Sequence, residues 1–83
     1  MCILLVEDNE SIAEGLVYAF KMNSYCLDYK TTMKDAIEYL NNNTPELIIL
    51  DVSLPDGNGF NLYEDNIKKS QIPVIFLTAR DDE

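Results

Sequence analysis

Three acids and one hydroxyl stand where this chain can do chemistry. Asp51 closes the apolar run Leu47-Ile48-Ile49-Leu50. Glu7 and Asp8 close a second run, Cys2-Ile3-Leu4-Leu5-Val6, and Thr78 closes a third, Val74-Ile75-Phe76-Leu77. A short unbroken apolar run bounded by turn signals fits a strand buried on both faces of a parallel sheet. A polar residue placed directly after such a strand lies at its carboxyl end, the edge at which open α/β sheets bind ligands. If these strands are neighbours, their polar ends meet in one cleft. Carboxylates crowded together with no base among them repel one another. A hard divalent cation with oxygen ligands relieves that repulsion, and Mg2+ retains waters beside one or two carboxylates. A carboxylate so held can act as a nucleophile toward phosphorus and form an acyl phosphate, with the Thr78 hydroxyl donating to a phosphoryl oxygen.

The elements that must position these groups follow from periodicity. Ile12, Leu16 and Phe20, with Ala13, Val17 and Ala19 beside them, make one apolar face of a helix over about 10–22, with Asn9 or Asp8 as its cap and Asn23-Ser24 as its end. Tyr25-Cys26-Leu27-Asp28-Tyr29 reads as a shorter strand at a sheet edge. Thr32 followed by Asp35 has the form of a capping box, and Met33, Ala36, Ile37 and Leu40 then predict a helix over about 33–41, ended by the Asn run before Thr44-Pro45. After Asp51 comes a loop containing Leu54-Pro55-Asp56-Gly57 and Asn58-Gly59, residues suited to turns. Phe60, Leu62, Tyr63 and Ile67 suggest a short, weakly patterned helix to about Lys69, and Gln71-Ile72-Pro73 leads into the last strand. Strands alternating with amphipathic helices imply a parallel sheet with right-handed crossovers.

Size and composition bound the function. Eighty-three residues suffice for one small domain, and the net charge of −9 disfavours nucleic-acid or anionic-membrane binding by this segment. It suits a cation site or a basic partner surface. No apolar stretch reaches membrane-spanning length. The two cysteines, Cys2 and Cys26, each border an apolar run and read as reduced, buried residues of a cytosolic protein, with a disulfide between them the lesser alternative. With no His and no Cys cluster, a zinc site is not expected.

The chain resembles a response-regulator receiver domain. The resemblance is carried by Ile3-Leu4-Leu5-Val6-Glu7-Asp8-Asn9, Leu47-Ile48-Ile49-Leu50-Asp51, Leu54-Pro55-Asp56-Gly57-Asn58-Gly59-Phe60 and Ile72-Pro73-Val74-Ile75-Phe76-Leu77-Thr78-Ala79-Arg80, and it spans the whole chain. It implies an α/β, flavodoxin-like three-layer fold whose parallel sheet has the order 2-1-3-4. It implies that Asp51 is the phosphoacceptor, taking a phosphoryl group from a sensor histidine kinase. Asp8 and Asp51 would bind Mg2+ by side chain, Ser53 by its backbone carbonyl and Glu7 through a water. Thr78 would be the switch hydroxyl, and the small Ala79 would leave the phosphoryl group room. The segment after Asp51 is similar to that of winged-helix transcriptional regulators, and the receiver family as a whole implies a cytoplasmic regulatory module rather than a turnover enzyme. DNA would be reached only through a C-terminal output domain.

Members of that family add a fifth strand, bearing a Lys and an aromatic switch residue, and a last helix. Lys68, Lys69 and Arg80 all precede the place of that Lys. The resemblance therefore implies an incomplete receiver domain over residues 1–83. Such a segment would label weakly on its own, and its uncovered hydrophobic edge would favour self-association or segment swapping.

Plainer readings stand beside these. Glu7 and Asp8 alone read as solvated strand-end acids with Asp8 capping a helix, Asp51 alone as a turn residue, and Thr78 alone as a β-favouring residue. Their convergence favours the metal site. Gly57 and Gly59 serve loop geometry. Ser53 and Arg80 read equally as residues that tune hydrolysis and as ordinary loop residues. Two other functions use the same elements. A Mg2+-dependent α/β phosphohydrolase also has a strand-end Asp nucleophile, but it usually carries a second acid two residues on, where Ser53 stands here. A pseudo-receiver would bind partners without phosphorylation.

Overall fold

Both faces of the apolar runs at 2–6 and 47–50 are covered, which is why their hydrophobicity does not alternate. In the computed structural model, which describes residues 2–77, the odd residues Ile3, Leu5 and Ile49 pack with Ala13, Leu16, Val17 and Phe20 on one face of the sheet. The even residues Leu4, Val6, Ile48 and Leu50 pack with Ala36, Leu54, Leu62 and Ile67 on the other. The elements are β1 (Cys2–Val6), α1 (Glu10–Met22), β2 (Cys26–Lys30), α2 (Met33–Asn42), β3 (Leu47–Asp51), a short pair β4 (Ser53–Leu54) and β5 (Gly57–Asn58), α3 (Gly59–Leu62) and β6 (Val74–Leu77). Strands β2, β1, β3 and β6 form one parallel sheet in that order. With β6 as the fourth strand of this sheet, the order is the expected 2-1-3-4. Helix α1 covers one face and α2 and α3 the other, giving a three-layer, flavodoxin-like α/β fold.

Helix α1 has the expected bounds because its stop signals are local. The Asn9 side chain accepts from the Ile12 amide at 3.1 Å, so Asn9, not Asp8, is the cap. Its inward stripe is Ala13, Leu16, Val17 and Phe20, while Ile12 stays 36% exposed at the margin. Strand β2 starts one residue later than the sequence suggests. Ser24 takes a left-handed conformation (φ 66°), the Tyr25 amide donates to Phe20 O at 2.9 Å, and the two rings meet edge-to-face. Tyr25 therefore closes the helix end instead of opening the strand.

The segment after α3 is not a uniform helix. Tyr63–Ile67 forms a wider π-helical turn and Lys68–Ser70 a tighter 3-10 turn, ended by left-handed Gln71. Leu62 and Ile67 are both buried. Residues five apart diverge around an α-helix but share a face across a π turn, so burying this pair on one side selects the wider turn.

The cysteines correct the sequence reading. Cys2 and Cys26 are joined by a disulfide, Cys2 is half-buried and Cys26 exposed. They lie opposite each other in the β1–β2 register, Cys26 on the edge strand β2 and Cys2 on the internal strand β1, which brings them together and leaves Cys26 open to solvent. Bridging a separation of 24 residues restrains the unfolded chain and stabilises the domain by about 3 kcal/mol in the chain-entropy account. At the other side of the sheet, Ile75 in β6 is 51% exposed, and Phe60, at 49%, meets the Phe76 ring at a tilt.

The loop after β3 is more ordered than a turn. β4 and β5 pair antiparallel around Pro55-Asp56. From that turn Asp56 reaches back to α2, accepting from the Met33 amide at 2.8 Å and the Lys34 amide at 3.1 Å, while Thr32 accepts from Asp35. The Met33 bond foremost, with the Lys34 bond, holds the Asp56 carboxyl below its usual range. A depressed carboxyl stabilises the fold above its ordinary pKa and loses that contribution as pH falls through the lowered value. We expect the melting-temperature gap between wild type and Asp56→Asn to be constant near neutrality and to close below about pH 4, as followed by circular dichroism. A gap unchanged down to acid unfolding would remove Asp56 as an ionised cap.

Candidate functional site

The β1–β3 register pairs Val6 with Leu50, so the residues that follow, Glu7 and Asp51, come level at the carboxyl end of the sheet. Each of Glu7, Asp8 and Asp51 brings a carboxylate oxygen within 4.8 Å of the others. Glu7 is 1% exposed and Asp51 2%, while Asp8 faces solvent. Because Asn9 caps α1, the Asp8 carboxylate is left to the cluster.

Two backbone bonds steady the buried acids. The Asn9 amide donates to Glu7 Oε2 at 2.9 Å, and the Ser53 amide donates to Asp51 Oδ1 at 3.2 Å. The Glu7 amide in turn donates to Lys30 O at 3.0 Å, which ties the acid to the end of β2. Glu7 Oε1 is buried and has no hydrogen-bond partner among the described residues. Burial raises the Glu7 carboxyl above its usual range, the Asn9 amide opposes this, and the neighbouring Asp51 and Asp8 charges add to the rise. Tyr29 reports the same negative field. Its buried hydroxyl also lacks a partner among the described residues, and it is raised first by burial, then by Glu10, Glu7, Asp8 and Glu14.

These residues fit a hard divalent cation. The donors are all oxygens, two of the carboxylates are withdrawn from water, and one buried oxygen is unsatisfied. The structure thus brings together Glu7, Asp8 and Asp51 and sets the Ser53 backbone beside Asp51. Thr78, Ala79 and Arg80 lie outside the described residues. The last strand still reaches the site: Asp51 pairs with Leu77, whose carbonyl accepts from the Val52 amide at 3.1 Å.

Two supporting residues were less visible in the sequence. Asp56 reads there as a turn former, and its reach to α2 depends on packing across the fold. Gly59 reads as loop geometry, yet its amide donates to Val52 O at 2.7 Å and any Cβ at this position would run into the backbone of Asp51 itself. The Gly-x-Gly spacing was the signal, and the neighbour was not.

Comparison with known proteins gives one family. The response regulator receiver domain matches residues 3–83. The transcriptional regulatory protein BasR of Escherichia coli (strain K12) is 39% identical over 82 residues, covering 98% of this chain and 37% of its own length. CreB of the same organism is 34% identical over 82 residues, with 98% and 36% covered. Among solved structures, the non-phosphorylated HemR receiver domain from Leptospira biflexa superposes with a TM-score of 0.86 at 38% identity, covering 99% of this chain and 67% of that one. The chain spans about a third of the length of the curated relatives it matches. A match running the length of the chain, on a sheet that gathers its acids at one edge, means that the chain belongs to the response regulator receiver domain family.

Proposed function

We propose that this chain is the phosphoacceptor module of a two-component transcriptional regulator, taking a phosphoryl group from a histidine kinase onto Asp51. The observation that carries this is the pairing of a buried Asp51 with Glu7 and Asp8 at the carboxyl edge of the sheet, one Glu7 oxygen being buried and unsatisfied. Asp8 and Asp51 would hold Mg2+ by side chain, Ser53 by its backbone carbonyl and Glu7 through a water. When bound, the cation neutralises the clustered carboxylates and the charge of the incoming phosphoryl oxygens.

The protein's own residues do the rest. Ser53 fixes one Asp51 oxygen by its amide, which leaves the other to attack phosphorus. An O–P bond forms, the N–P bond to the kinase histidine breaks, and the imidazole keeps the electron pair and takes a proton. Thr78 would donate its hydroxyl to the transferred group, and Ala79 would leave space for it. The module is cytoplasmic and signals by its phosphorylation state rather than by turnover. DNA is reached through an output domain. In the full-length protein, a small phosphodonor with Mg2+ is expected to add one phosphoryl group, and Asp51→Asn none, by intact-mass spectrometry. Equal labelling of both would rule Asp51 out, and multiple-turnover release of phosphate would favour a phosphohydrolase instead.

A further inference from the structure

At the end of the sheet opposite the acidic cluster, Cys2 and Cys26 face each other across β1 and β2 with Cα atoms 4.5 Å apart, joined by a disulfide. Cys26 is exposed at the first residue of the edge strand and Cys2 is half-buried, so the bridge is more open to solvent on the Cys26 side. Asp28 lies two residues along from Cys26, on the same face, and places a carboxylate oxygen within 4.8 Å of both sulfurs. The Tyr39 hydroxyl holds that carboxylate by donating to Oδ2 at 2.7 Å. Glu46 adds a second acid here, accepting from the Cys2 amide at 3.0 Å.

We propose that Cys2–Cys26 is a reversible redox site. It is a dithiol–disulfide couple that exchanges with low-molecular-weight thiols of the glutathione class and locks β1 to β2 when oxidised. A thiolate RS⁻ attacks the Cys26 sulfur. An R–S–S–Cys26 bond forms, the Cys2–Cys26 bond breaks, and the electron pair leaves on Cys2, which takes a proton from water. A second RS⁻ attacks the R sulfur of the mixed disulfide, releasing RSSR and a Cys26 thiolate that is protonated in turn. Two thiols are oxidised to one disulfide, and two electrons pass to the cysteine pair.

The surroundings suit a couple that switches slowly and reversibly. Asp28 repels the incoming thiolate and disfavours the leaving one, which slows exchange without forbidding it. The strand register holds the two residues opposite each other, so reoxidation needs no rearrangement of the chain. The locked strand pair is also the one that frames the acids, since Glu7 follows β1 and its amide donates to Lys30 O at the end of β2.

The test equilibrates the full chain in glutathione redox buffers, quenches with N-ethylmaleimide and reads intact mass and melting temperature. We expect one two-electron transition, from no adduct to two with single adducts scarce. A fall in melting temperature of about 10–20 °C should run along the same transition. Cys26→Ser should melt at one temperature in every buffer, with Cys2→Ser as its check should it fail to fold. Asp28→Asn should be reduced roughly fivefold faster by the same thiol, as expected from removing one charge at this distance in water. Two adducts already present in the oxidising limit would overturn the proposal. So would a melting temperature indifferent to reduction, or the same redox response in a single-cysteine variant. An unchanged rate in Asp28→Asn would overturn the role given to Asp28.

Discussion

Replacing Asp51 by Asn is expected to stabilise the metal-free domain and, in the same variant, to abolish its response to Mg2+. Two of the clustered carboxylates are almost wholly withdrawn from water, and all three lie within 4.8 Å of one another. A fully charged pair at that spacing repels by about 3–4 kcal/mol at an effective dielectric of about 20. Burial and the neighbouring charges raise the Glu7 carboxyl, and water at the exposed Asp8 screens part of that repulsion. The gain on neutralising Asp51 is therefore smaller, about 1–2 kcal/mol, or a rise in melting temperature of about 5–15 °C for a domain of this size. Asn keeps an oxygen for the Ser53 amide, so the local backbone is retained. Melts in EDTA and then across a Mg2+ titration check this. Wild type should gain stability with the ion by mass action and the variant should not. A variant less stable in EDTA and equally responsive to Mg2+ would contradict the site.

The second large effect is expected at Gly59. A Cβ built there would overlap the Asp51 carbonyl oxygen and stand 3.1 Å from Val52 Cα. Both neighbours are backbone, so neither can swing aside, and the Gly59 amide is already committed to Val52 O at 2.7 Å. Gly59→Ala must therefore push apart the end of β3 and the start of α3. Overpacking of this kind costs about 1–3 kcal/mol. The displacement falls on Asp51 itself, so phosphoryl labelling should drop along with stability. Gly15→Ala is the control, since nothing lies within 4 Å of its Cβ position. It should hold or slightly raise the melting temperature by relieving helical glycine. Equal melting temperatures for Gly59→Ala and wild type would show that the loop gives way.

The parts of the fold legible in the sequence are those set by near neighbours. Helix α1 runs from Glu10 to Met22 as its stripe and its flanking Asn residues indicate. The Thr32 bond to Asp35 is a contact three residues long and is present as the motif suggests. The parts that differ depend on how side chains pack rather than on local propensity. Tyr25 has strand propensity, but packing on Phe20 keeps it out of β2. The π turn at 63–67 answers to the joint burial of Leu62 and Ile67, which no local pattern in that stretch encodes. The sequence favours reduced, buried thiols at Cys2 and Cys26 over a disulfide between them, because a separation of 24 residues does not by itself set the two side by side.

The same division holds for the site. The sequence by itself determined that Glu7, Asp8 and Asp51 follow buried strands, since an unbroken apolar run is stable only with both faces covered and must end where polar residues meet solvent or ligand. The tertiary structure bears out the strand order that the resemblance implies, with β1 between β2 and β3, and it alone decided that Val6 stands opposite Leu50. That register turns three strand-end acids into one cluster, and the neighbouring one sets Cys2 against Cys26. The physical reason is the same in both cases. Strand neighbours are chosen by the burial of whole faces against α1, α2 and α3, a sum over the core that no single segment carries.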